Sequence, residues 1–86
     1  MSCANYPGDV AVPEITSGAL KHGVAVEAIR AVLADPLRLV PQGDRLLYIG
    51  VGTDRILLEV VLDRESDRVV HAMRLRPKNY AYLQLG

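Results

Sequence analysis

The chain has 86 residues, half of them hydrophobic, with ten basic and ten acidic side chains and no net charge. That apolar content excludes a disordered chain, and the length excludes a second domain with a core of its own. A single cysteine, Cys3, excludes an internal disulfide and a thiolate zinc site, so a reducing compartment is expected.

The N-terminal stretch MSCANYPGDV has neither the basic region nor the apolar region of a signal peptide. No later run approaches the ~20 apolar residues of a membrane span. The expected location is therefore cytoplasmic, without membrane contact. Pro7, Gly8 and Pro13 predict a loose arm over residues 1–13, followed by a single domain over 14–86. Pro13-Glu14-Ile15 predicts the start of a short helix running to Lys21-His22 and stopped by Gly23. The two cations would sit in its last turn, where the helix dipole favours them.

Val26, Ile29 and Leu33 recur at helical spacing, with Ala25, Ala28 and Ala31 between them, so a second helix is predicted over Val26–Ala34. Asp35-Pro36 ends it. Strand patterns follow at Leu37–Val40, Leu46–Val51, Ile56–Leu62 and Arg68 or Val69 to Leu75, separated by turn clusters. Lys78–Gly86 reads as a short helix or an extended segment. Short connections favour antiparallel neighbours. The expected fold is α+β: two N-terminal helices packed on one face of a three- or four-stranded antiparallel meander sheet.

Pairing Leu62 with Val69 across the last hairpin would set Val60 opposite His71, Leu58 opposite Met73 and Ile56 opposite Leu75 on the helix-covered face. His71 then reads as a packed core residue. Arg74 and Arg76 would share the other face, about 7 Å apart along the strand. Two guanidinium groups so placed can grip a phosphodiester or stabilise its pentacoordinate transition state. A surface ladder pairing Arg74 diagonally with Glu59 is the rival reading. His22, at a helix end, reads either as a C-terminal cap or as a proton-transfer group. From Arg68 to Gly86 there are four bases and no acid, which suits a phosphate-bearing ligand or a soluble edge strand equally. Tyr80 and Tyr82, after Lys78, can stack on bases or pack half-buried. Gly50-Val51-Gly52 lacks the third glycine of a dinucleotide loop, and two histidines without ligand spacing make no metal site. No cofactor is expected.

Lys21-His22-Gly23-Val24, then Glu27-Ala28 and Leu33-Ala34-Asp35-Pro36, resembles the KHGVxxEEAxxVFxDP segment of BrnT-type toxins. Arg45–Gly50, LLEVVLDRESDRVV and the Arg76 region resemble that family's RxxxIG, LLVVVYTERGDRIRI and ISAR stretches, over roughly residues 20–78. The resemblance implies a RelE/BrnT-like fold and the toxin of a bacterial type II toxin–antitoxin pair, a metal-independent endoribonuclease. Its implied partners are RNA and a small ribbon-helix-helix antitoxin, with DNA reached only through that antitoxin. Lys21 and His22 match the family's KHG, and Arg76 matches the arginine of ISAR. Together with the residue reading, this makes Arg76, His22 and Lys21 the catalytic candidates. Arg74, Lys78 and Tyr80 are the substrate-binding candidates, and Glu59 is the orienting one. The chain departs from the family in lacking its N-terminal aromatic-Trp-Asp segment, in placing Arg74 where ISAR has serine, and in its short C-terminus. The alternative is a toxin-fold module that binds an antitoxin-like protein or nucleic acid without cleavage.

Overall fold

The structure, a computed structural model, describes residues 13–84. The predicted arm, apart from Pro13, and Cys3 lie outside the described residues. Five strands form one mixed sheet: β1 (Glu14–Ile15), β2 (Arg38–Gln42), β3 (Arg45–Val51), β4 (Leu57–Asp63) and β5 (Arg68–Arg74), in the order β1-β5-β4-β3-β2. β2 to β5 pair antiparallel, whereas β1 runs parallel to β5 through Glu14–Arg68 and Ile15–Val69. One α-helix, α1 (Val26–Ala34), and two 3-10 helices, Ser17–Leu20 and Pro77–Leu83, complete the described chain.

This corrects the expected architecture. The sheet has five strands and is mixed, not a three- or four-stranded antiparallel meander, and only one of the two expected N-terminal helices is an α-helix. The reason is local. Ile15 and Thr16 are β-branched and Gly18 is a poor helix former, so Pro13–His22 lacks the propensity for a full helix. Thr16 instead anchors the segment to the sheet. Its N–H and its hydroxyl both donate to the Val69 carbonyl, at 3.1 and 2.8 Å. The same hydroxyl accepts from Ala19 N at 3.3 Å and caps the 3-10 turn.

α1 lays Ala28, Ile29 and Val32 on Leu58, Val60, Leu62, Val69 and Ala72, with Ala19 sealing one end. Two glycines allow its close approach. A Cβ on Gly52 would stand 2.9 Å from Leu58 Cδ1 and 3.0 Å from Ala28 Cβ, and one on Gly50 would stand 3.2 Å from Val32 Cγ1. The other sheet face carries a smaller apolar cluster. Leu47, Ile49 and Leu75 are buried there, with Val40, Val61 and Leu83 packed against them. The C-terminal 3-10 helix lies along this face, and Arg38 Nε donates to the Tyr82 carbonyl at 2.9 Å.

The last hairpin contains the feature that rearranges the site. Leu62 pairs with Val69, but Val61 pairs with His71, so Val70 is an unpaired bulge residue. Beyond it every β5 side chain changes face relative to the expected register. Ala72 sits opposite Val60 and Arg74 opposite Leu58, on the helix side. Met73 sits opposite Glu59, and His71 leaves the helix-covered core for Glu59's side. Ile56 and Met73, expected in the core, are only half-buried.

Candidate functional site

Glu59 stands at the centre of β4, on the face away from α1, with no solvent exposure. A lone buried carboxylate is costly, so its donors decide whether it can exist. Oε1 accepts from the Arg76 backbone N–H and from Asn79 Nδ2, each at 2.9 Å. Oε2 accepts from Arg76 Nε at 2.8 Å and His71 Nε2 at 2.9 Å, and contacts Arg76 Nη2. Burial alone pushes this carboxyl's pKa up. The Arg76 guanidinium, the Arg76 N–H, His71 and Asn79 together outweigh burial and bring it from an ordinary 4.5 down to about 2. Glu59 is therefore ionised and acts only as an acceptor.

An ionised Glu59 fixes its neighbours. His71 must carry a proton on Nε2 to make its bond, and Nδ1 is the ring nitrogen not used on Glu59. The His71 side chain is 24% exposed and that of Arg76 is 40% exposed. Each thus has one side locked on Glu59 and another toward solvent. Arg76 uses Nε–H and one Nη2–H on the carboxylate, leaving three of its five N–H donors for another group. Its position follows from the chain path. Arg76 leaves β5 in extended conformation and caps the 3-10 helix that Pro77 starts. That short helix brings Asn79 back onto Glu59, with Asn79 N–H donating to the Arg76 carbonyl at 2.8 Å.

His22 completes the group. β1 covers β5 only as far as Val69, so the turn after the first 3-10 helix swings past the open edge of β5. The His22 ring meets the His71 ring edge to face, with centroids 5.7 Å apart. His22 also lies on the lip of an open cleft of about 430 Å³ shared with Val24, Asp54, Ile56, Met73 and Arg74.

Of the residues picked from sequence, His22, Arg76 and Glu59 converge here. Arg74 does not join Arg76, because the bulge turns Arg74 to the helix side and Arg76 follows the other face. Glu59 orients Arg76 and His71, not Arg74. Lys21 is exposed beside His22, and Lys78 and Tyr80 are exposed on the C-terminal 3-10 helix. No hydrogen bond or ion pair among the described residues ties these three to Glu59. Sequence reading missed His71 and Asn79. The usable signal for both was Glu59 itself. An acid in the middle of an apolar strand requires donors, and the only imidazole on the adjacent strand is one residue from the right parity.

No family model matches the chain, and no curated protein or solved structure matches it.

Proposed function

We propose that the chain is a ribonuclease, the toxin of a bacterial type II toxin–antitoxin pair acting in the cytoplasm. The observation that carries this reading is the Glu59–His71–Arg76 cluster with His22 set against it. RNA supplies its own nucleophile, the 2′-hydroxyl, so the protein has to move two protons and stabilise one developing charge. Neutral His71 takes the 2′-hydroxyl proton on Nδ1 while the 2′-oxygen bonds to phosphorus. Glu59 stabilises the imidazolium that forms. Arg76 donates to the phosphorane oxygens. Protonated His22 gives its proton to the departing 5′-oxygen as the P–O5′ bond breaks, leaving a 2′,3′-cyclic phosphate. The 5.7 Å between ring centres supports the assignment of both imidazoles to one phosphodiester. Lys21, next to His22, adds positive charge toward the flanking phosphates. The resemblance of residues 20–78 to BrnT-type toxins supports the same assignment and points to an antitoxin partner. Exposed Leu37 and Leu39, at the outer strand of the sheet, are apolar surface such a partner can cover.

The test is cleavage of a fluorogenic single-stranded RNA by wild type, His71→Ala and His22→Ala, with folding followed by circular dichroism. Each variant is expected to lose about 10²- to 10⁴-fold in rate, as removal of a general acid or base does. Folded wild type that cleaves no RNA refutes the catalytic reading and leaves the binding module. Full activity in both variants refutes the site assignment.

A further inference from the structure

The cleft bordered by His22 shares that residue with the proton transfers above, whereas the rest of its lining has no part in them. Its floor is apolar, from Val24, Ile56 and Met73, and its rim carries one cation, Arg74, and one carboxylate, Asp54. No ion pair among the described residues joins Arg74 to Asp54. Asp54 Oδ1 accepts from Ile56 N–H at 3.2 Å, which holds the carboxylate in place at the rim. At about 430 Å³ the cleft is within the range of small-ligand sites, ~300–1,000 Å³. An open apolar lining, a guanidinium plane that stacks on rings and an acceptor-only carboxylate suit a nucleobase with its Watson–Crick edge exposed, as in single-stranded RNA.

The carboxylate chooses among bases. Guanine presents two adjacent donors, N1–H and N2–H, which match the two oxygens of Asp54. Adenine and cytosine present one donor beside one acceptor. Uracil presents one N–H between two carbonyls that a carboxylate repels. Resting on the ribonuclease reading, we infer that this cleft is a guanine-recognition subsite. It holds the base on the 5′ side of the scissile phosphate, with Asp54 as the specificity-determining residue and Arg74 stacked on the base.

Binding of guanosine 3′-monophosphate and uridine 3′-monophosphate tests this without any cleavage. Calorimetry gives the affinities and amide NMR shifts give the location. The guanine nucleotide should bind about 10-fold or more tightly than the uracil nucleotide, in line with one bidentate base contact, and should shift the amides of Val24, Ile56 and Met73. Asp54→Asn keeps an oxygen for Ile56 N–H and replaces the other with a donor, so it should erase the preference without unfolding the chain. Arg74→Ala should weaken both nucleotides alike. Equal affinities in wild type, an unchanged preference in Asp54→Asn, or shifts confined to residues outside the cleft would overturn the subsite. The two readings fail separately. Cleavage of RNA without guanine preference removes the subsite and leaves the ribonuclease. Guanine-selective binding in the cleft by a protein that cleaves nothing removes the ribonuclease and leaves a nucleotide-binding site.

Discussion

Glu59 determines what its neighbours can do, and acid should reveal its contribution. Its pKa is about 2 in the folded chain against an ordinary 4.5. A group lowered on folding contributes stability that is complete above the unfolded pKa and is lost as pH falls through the folded one. Stability from this residue should therefore hold above pH 4.5 and decline between 4.5 and about 2. The shift corresponds to roughly 3 kcal/mol at 1.36 kcal/mol per pKa unit. Urea denaturation at several pH values in this window measures it. Glu59→Gln should remove most of the slope. That variant should also cost about 3 kcal/mol at neutral pH, because the new amide N–H faces donors and the buried end of Arg76 loses its counter-charge. By contrast, Arg74 is exposed and carries no hydrogen bond or ion pair among the described residues, so Arg74→Ala should change stability by less than about 0.5 kcal/mol. A large destabilisation by Arg74→Ala, or none by Glu59→Gln, would contradict this division of roles.

At the scale of elements, α1 depends on two missing side chains. Gly52→Ala places a methyl against Leu58 and against the Cβ of Ala28, which belongs to a helix and cannot swing away. Overpacking of this kind costs about 1–3 kcal/mol. Gly50→Ala meets Val32 Cγ1 at the looser distance of 3.2 Å and should cost less. Urea midpoints for the two variants should fall in that order, and the reverse order would place the tight contact elsewhere. The same scale shows what could be read from sequence. The period of Val26–Ala34 and the turn clusters located α1 and β2 to β5 to within a residue or two, because hydrophobic spacing and Gly or Pro punctuation are local signals. β1 was hidden, since two residues carry no period and their pairing to Arg68 and Val69 is a long-range event. The bulge at Val70 was hidden too. Valine fits a bulge and a regular strand equally well, and a one-residue change of register exchanges the faces of everything after it. His22, Arg76 and Glu59 are legible as a helix-end histidine, a strand arginine and an acid within an apolar strand, although the sequence pairs Glu59 with Arg74 and not with Arg76. His71 reads as core because an unbroken ladder would put it on the helix-covered face, and Asn79 carries no signal in a segment whose return to the sheet depends on Pro77 and Glu59 together.

For the whole molecule, net neutrality conceals a separation of charge. Residues 54–67 hold five acids and two bases, and residues 68–86 hold four bases and no acid. The structure uses one of those bases internally, since Arg76 compensates Glu59, and Arg68 pairs with Glu14 at 3.2 Å on the surface. Arg74 and Lys78 remain exposed on the basic segment, with Lys21 exposed beside His22. If single-stranded RNA lies across the side marked by Lys21, Arg76 and Lys78, only a few phosphates are neutralised, and binding should respond to salt accordingly. With about three phosphate contacts and a coefficient of about 0.7 per contact for single strands, log K should fall with a slope near −2 against log salt. Lys21→Ala should make the slope shallower by about 0.7, while Arg55→Ala, in the β3–β4 turn among the acids, should leave it unchanged. Fluorescence anisotropy of a labelled RNA whose 2′-hydroxyls are methylated, so that it binds without reacting, gives these slopes across a range of chloride concentrations. A slope near zero would mean that the basic segment does not meet a polyanion, and its arginines would then serve the sheet and Glu59 alone. A slope far steeper than −2 would mean that the RNA tracks over more of the surface than that marked by Lys21, Lys78 and the free donors of Arg76.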